Sequence, residues 1–472
     1  MQHRGETAPR YQKQSRMKRK LTHLPEEEPE DLIRRYEAFL SQKTEAGYFD
    51  VYEMEQIVDY YLRWGRTRES SVALEFGFRL HPGSPVLLVQ RAKIFLASGQ
   101  AQKALQLLES SVIRFEYDVL LLKINVLSAL ERHSEARALA EELLADQSLE
   151  TDTTCLDLAY LYLSNYDIEN AMYFLQLGEK ANPKNTDILF ELAFCYDTRE
   201  DNEASIAIYE KILKIDPYSA ETWFNLGQVY FLIPDYTKAI MAYEYALVIR
   251  PDDSLTYLQK AHSHFQLQQY REAIDDYEVY ASMVPDTWQI WLFIGECYER
   301  LEQFAEAIQY YSKSLKMHSD NYEALTGIAI CLMEQDKFDD SIAFSRRAIE
   351  INPDAADGWV YLAEGLVGLD RPEEALQAYI KSIRLDPNQP ETYMAIANIC
   401  MDKGEYNLAL EYYRQALALN DESDLQNIHL FMAVAYYKTG RREEAFFALD
   451  KAMEESLDAL KVFREICPES DF

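Results

Sequence analysis

A chain of 472 residues, 48% hydrophobic but with only 15 glycines and 15 prolines, can bury a large core and lacks the loop punctuation of an all-β protein. Its net charge of −33 argues against nucleic acid or an anionic membrane as a partner of the body, and in favour of a basic partner. No apolar run reaches the roughly 18 residues of a membrane span and no secretory signal opens the chain, so a soluble, cytoplasmic protein is expected.

Residues 1–28 read as a basic, disordered N-terminal arm: within 1–20, Arg4, Arg10, Lys13, Arg16, Lys18, Arg19 and Lys20 stand against Glu6. Met17 offers a second start, which leaves open whether residues 1–16 belong to the natural protein. PEDLIRRYEAFL (29–40) places Glu30 and Asp31 in a first helical turn, where negative charge suits the helix dipole. The stretch 29–50 is therefore expected to be an N-terminal capping helix and its connection.

Residues 51–151 predict three irregular helical hairpins starting at 51, 85 and 117, their register carried by His81-Pro82 and by Gly99 with Ala104. From 152 to 459 the pattern is regular, with hairpins starting at 152, 186, 220, 254, 288, 322, 356, 390 and 426. Pro183, Pro217, Pro251, Pro285, Pro353 and Pro387 recur at 34 residues or twice that, and Ser319 fills the skipped place. ALKVFREIC (459–467), stopped by Pro468, predicts a C-terminal cap, so that 460–472 is capping helix and tail.

The hairpin from Ala220 shows the frame. Counting Ala220 as slot 1, Trp223, Leu226, Gly227 and Tyr230 fall at slots 4, 7, 8 and 11, one stripe of a first helix, A. Ala239, Tyr243 and Ala246 fall at slots 20, 24 and 27, the stripe of a second helix, B, and Pro251 ends it. Gly227 and Ala239 lack bulk, so the two helices can approach closely. Departures occur: Lys260 and His264 take apolar slots, and Ser205 and Ser341 replace the slot-20 alanine. One hairpin cannot bury its own stripe, so neighbours must stack.

The run W-x₂-L-G-x₂-Y, then A-x₃-Y-x₂-A, then P, in register over more than 270 residues of this chain, resembles the tetratricopeptide repeat family. The resemblance implies an all-α, right-handed superhelical solenoid of about twelve helix-turn-helix repeats. It also implies that helix A lines a concave face, with slots 2, 5, 9, 12 and 13 looking into it. The candidate partner-binding residues follow: Asp187, Glu221, Glu323 and Glu391 at slot 2; Phe190, Phe224, Leu258 and Leu292 at slot 5; Phe194, Gln228, His262, Glu296, Glu364 and Asn398 at slot 9; and Phe265 at slot 12. Slots 5 and 12 either pack out of sight between A helices or form an open apolar floor rimmed by carboxylates. The basic clamp that chaperone-tail binders of the family carry is absent from slots 5, 6 and 9, where only Asn225 fits.

Chemistry is sparse. Cys155, Cys195, Cys297, Cys331, Cys400 and Cys467 form no C-x-x-C pair, and three of them share slot 10, which marks reduced packing residues. His262 and His264, two apart on a helix, point about 200° apart and cannot share a metal; His264 is expected in the core and His262 outward. No phosphate loop, G-x-S-x-G or H-E-x-x-H occurs. The expectation is a non-enzymatic interaction scaffold or adaptor without cofactor or metal. It would hold a protein or peptide with basic and apolar anchors, and the array would bind neither nucleic acid nor membrane. The alternatives are a regulatory subunit packed permanently on an enzyme, and a nucleic-acid-associated factor acting through the basic arm.

Overall fold

The computed structural model describes residues 30–41, 48–110, 116–146, 148–419, 427–456 and 458–470. The arm (1–28), the connection at 42–47 and the repeat start at 426 lie outside the described residues. Among the described residues every regular element is a helix, which makes the protein an all-α helical-repeat solenoid. No helix among them is long and apolar enough to cross a membrane.

The chain divides into two compact units, Met1–Val229 and Tyr230–Phe472. The first holds the capping helix α1 (Glu30–Leu40) and the hairpins α2–α3 (Val51–Arg63, Thr67–Leu80), α4–α5 (Pro85–Ala97, Ala101–Leu108), α6–α7 (Tyr117–Ala129, His133–Leu144), α8–α9 (Thr151–Ser164, Ile168–Ala181) and α10–α11 (Thr186–Thr198, Asn202–Ile215). The boundary falls within α12 (Ala220–Leu232). The second unit continues with α13 (Tyr236–Ile249), α14–α15 (Ser254–Gln266, Tyr270–Met283), α16–α17 (Trp288–Arg300, Phe304–Met317) and α18–α19 (Tyr322–Met333, Phe338–Ile351). It ends with α20–α21 (Ala356–Gly368, Pro372–Leu385), α22–α23 (Pro390–Asp402, Tyr406–Leu419), α24–α25 (Ile428–Lys438, Arg442–Glu455) and the short α26 (Ala459–Ile466).

Local chemistry sets the helix ends. Asp50 and Glu53 form a reciprocal capping box at the start of α2. At the A-to-B turns, Asp167, Asp201 and Asp235 each accept the backbone N–H three residues on and so cap helix B. Slot 15, one residue earlier, is left-handed in repeat after repeat. Gly65, Gly99, Gly404 and Gly440 hold it at φ of 70–79°, while Glu200, Gln268, Glu302, Asp336 and Asp370 hold it at 54–61°. This conformation lets the next N–H return to the carbonyl of slot 11, as from Gln303 to Tyr298 at 2.9 Å, and closes helix A.

Packing is between sequence neighbours. Within each hairpin the stripe of A meets the stripe of B: Ala261, Gly295, Ala329, Ala363 and Ala397 at slot 8 and Ala273, Ala307, Ser341, Ala375 and Ala409 at slot 20 are all buried. A helices also touch the A helices of adjacent repeats: α2 with α4, α4 with α6, α6 with α8 and α8 with α10 in the first unit, α16 with α18 and α18 with α20 in the second. The A helices α2, α4, α6, α8 and α10 thus form one layer in the first unit, and α16, α18 and α20 form one in the second. All six cysteines are free and buried, and burial pushes the Cys155 thiol up to about 11 and the Cys195 thiol up to about 12.

Candidate partner-binding face

The A helices carry every candidate residue, but not at one place. Asp187, Phe190, Phe194, Glu221, Phe224 and Gln228 belong to the first unit; Leu258, His262, Phe265, Leu292, Glu296, Glu323, Glu364, Glu391 and Asn398 belong to the second. The slot-2 carboxylates Asp187, Glu221 and Glu391 are exposed and Glu323 is half-buried. First-turn positions allow this, because they lie at the helix end and their charge is favourable there.

The apolar slots are neither hidden nor open. Phe190, Leu258, Leu292 and Phe265 are half-buried, and Phe224 is 9% exposed. Each leans on its neighbours. Phe190 meets the Tyr209 ring edge-on, Leu258 packs on the α14–α16 core, and Leu292 packs on the core of α17 and α18. Phe265 sets its ring against Tyr270 across the A-to-B turn. What the layer offers is one face of each side chain, not a bare floor.

Slot 9 is partly consumed by the fold. The buried slot-24 tyrosines reach from helix B to the polar residues of helix A. Tyr277 OH lies 2.7 Å from His262 Nδ1, Tyr413 OH donates to Asn398 Oδ1 at 2.6 Å, and Tyr311 OH donates to Glu299 Oε2 at 2.6 Å. In the first unit Tyr209 OH donates to Asp197 Oδ2 at 2.8 Å. His262 was expected to face outward; instead its ring stands edge-on to Tyr277 and Phe293, with centroids 5.4 and 5.1 Å away. The cause is the tyrosine hydroxyl beneath it, which needs an acceptor once buried. Burial holds the His262 imidazole down at about 4, so it is neutral at physiological pH.

The electrostatics converge on α16, α18 and α20. The Glu364 carboxyl is pushed up by burial and then by the charge of Glu334, the residue that caps the end of α18. Glu299 is pushed up by burial, opposed by the Tyr311 hydrogen bond, with Glu296 adding to the rise. Glu334 and Glu364 have no ion-pair partner among the described residues. Sequence reasoning named Glu296 and Glu364 but passed over Glu299 and Glu334. Their signal was present: slots 12 and 13 carry carboxylates here where slot 12 elsewhere carries Phe231, Phe265 or Met401.

One polar network lies inside a repeat core instead. Lys260 Nζ sits 3.2 Å from Asp276 Oδ1 and 3.8 Å from Glu244, and His264 Nε2 sits 3.6 Å from Asp276 Oδ2. His264 Nδ1 lies 2.7 Å from Gln269 Oε1. These are the two departures in the apolar stripe of α14, neutralised by an aspartate from α15. No cluster of His, Cys, Asp and Glu fit to hold a metal ion occurs among the described residues.

Two family models match the chain: the cilia and flagella-associated protein 70 C-terminal domain over residues 246–462, and anaphase-promoting complex, cyclosome, subunit 3 over 198–280. No curated protein matches it. Among solved structures it is similar to MamA (21% identity, TM-score 0.35, covering 37% of this chain and 96% of that one) and to Pseudomonas aeruginosa PilF (18%, 0.41, 46% and 97%). It is also similar to a chain of the APC/C hetero-tetramer Cut9–Hcn1 (14%, 0.40, 93% and 92%). With paired helices at a 34-residue pitch, small residues at slots 8 and 20, and two matching families of the same repeat type, the chain is a tetratricopeptide-repeat protein.

Proposed function

We propose that the protein is a non-enzymatic interaction scaffold that captures a partner segment on its A-helix face, the concave side of a tetratricopeptide array. The observation that carries this reading is the juxtaposition on α16, α18 and α20 of half-buried apolar side chains with the carboxylates Glu296, Glu299, Glu334 and Glu364, two of them already raised by burial. A Lys or Arg placed between Glu334 and Glu364 relieves their mutual repulsion, and an apolar neighbour completes the burial of Leu292. The partner segment is therefore basic with apolar anchors. Asp187, Phe190 and Phe194 in the first unit offer the same mixture of charge and apolar surface.

The test is affinity purification with quantitative mass spectrometry at low and high salt, using the full chain and its Glu334→Lys/Glu364→Lys variant. The expected result is a partner whose yield falls with salt and falls again in the variant, since both act on exposed charge within a screening length of about 8–10 Å. A partner retained equally by the variant, or held through high salt, contradicts capture at this face.

A further inference from the structure

A separate cavity of about 360 Å³ opens in the last hairpin, between the end of α23 and the pair α24–α25. Leu417, Met432, Tyr436 and Ala448 line it and Phe447 stands at its side. Its walls come from two B helices, α23 and α25, and from the A helix α24, which supplies His429, Met432 and Tyr436. Two features set this junction apart. Eight residues (420–427) connect α23 to α24, where four connect α17 to α18 (318–321), α19 to α20 (352–355) and α21 to α22 (386–389). Phe447 is also the aromatic at the sixth position of α25, which the other B helices of the second unit fill with Met241, Asp275, Gln309, Ala343, Gln377 and Glu411.

Phe447 is 63% exposed, and Lys451 lies 5.1 Å from its ring centre. An aromatic residue at a solvent position beside a void of ligand size has no packing reason within the chain. The charges around the mouth decide what fits. Lys451 lies over the Phe447 ring and keeps its charge, Arg414 donates to the Tyr436 hydroxyl at 3.1 Å, and His429 pairs with Glu455. Glu443 and Glu444, exposed in the first turn of α25, have no ion-pair partner among the described residues. Glu443 and Glu444 outnumber Lys451 around the cavity, so the mouth is net negative.

We propose that this cavity is a second docking site, which takes one aromatic side chain of a partner peptide whose neighbouring Lys or Arg meets Glu443 and Glu444. The site shares no residue with the carboxylates of α16, α18 and α20 and would let the scaffold hold two segments at once.

The experiment uses the full chain with carbon-13 methyl methionine, in which Met432 reports the cavity and Met333, Met394 and Met401 report the A-helix layer. The probes are three synthetic Gly/Ser peptides carrying Arg-Trp-Arg, Glu-Trp-Glu or Arg-Ala-Arg at their centre. The expected result is a saturable Met432 shift with the first peptide and none with the other two. Glu443→Lys/Glu444→Lys should weaken that binding by roughly tenfold, and Phe447→Ser, a solvent-face change that spares the core, should weaken it as well. The proposal is overturned if Met432 does not move with Arg-Trp-Arg, if Arg-Ala-Arg moves it equally, if only the A-layer methionines respond, or if both variants bind as the wild type does.

Discussion

At the scale of single residues, the repeat is governed by where bulk is forbidden. A Cβ on Gly295 would stand 2.6 Å from the Tyr311 ring, and one on Gly327 would meet the same ring at 2.6 Å. Tyr311 is therefore clasped between two A helices, its hydroxyl anchored on Glu299. Gly295→Leu should push the ring out and cost about 1–3 kcal/mol through overpacking, seen as a lower thermal midpoint; an unchanged midpoint would refute the clasp. The slot-8 and slot-20 small residues were legible because they recur at fixed spacing. The left-handed slot 15 was not, because Glu, Gln and Asp fill it as often as Gly, and only the backbone reveals its φ. Gln268→Gly and Glu302→Gly should each stabilise by about 0.5–1 kcal/mol, since glycine adopts that conformation without a Cβ penalty; loss of stability in both would show that the side chains contribute more than the strain.

At the scale of elements, each helix start on the A side was readable from the stripe: α2, α4, α6, α10, α12, α14, α16, α18, α20 and α22 begin where the repeat count places them, and α8 begins one residue earlier, at Thr151. The count was less informative about polar substitutions within the stripe. Lys260 and His264 read as departures, but their compensating partner Asp276 sits in a slot that Ala242 and Ala378 fill elsewhere, so nothing in the period marked it. Lys260→Leu alone leaves Asp276 buried without its nearest cation and should destabilise by about 3–5 kcal/mol. Lys260→Leu/His264→Tyr/Asp276→Ala together should recover that loss. A single variant as stable as the wild type would mean that the network carries no burial penalty.

The pH response of these elements has two opposing parts. His262 is lowered from the ordinary 6.5 to about 4, so the unfolded chain binds a proton before the folded one does. Stability is lost as pH falls from 6.5 towards 4, and His262→Gln should flatten that part of the curve. Glu364 is raised above the ordinary 4.5, so the folded chain holds the proton longer and stability falls as pH rises through and above that value. Glu364→Gln should therefore raise the thermal midpoint at neutral pH and make no difference at a pH below about 4. A midpoint unchanged at neutral pH would show that the carboxylate is fully solvated.

At the scale of the molecule, the array and its all-α class were plain in the sequence because a solenoid repeats its own burial rule. The division into two compact units was not, since α12 keeps the repeat pattern straight through the boundary at Val229. Nor did the pattern reveal how much of the A-helix face the slot-24 tyrosines take up. Slot 9 is expected to look into the concave face, yet His262 and Asn398 hydrogen-bond buried tyrosine hydroxyls, as Glu299 does at slot 12, which leaves Glu334 and Glu364 as the exposed carboxylates there. Hydrogen–deuterium exchange on the full chain, with and without the partner retained in the low-salt purification, tests this most directly. Capture on the A-helix face predicts slowed exchange in α16, α18 and α20 with α17, α19 and α21 unchanged; protection confined to the B helices would contradict it.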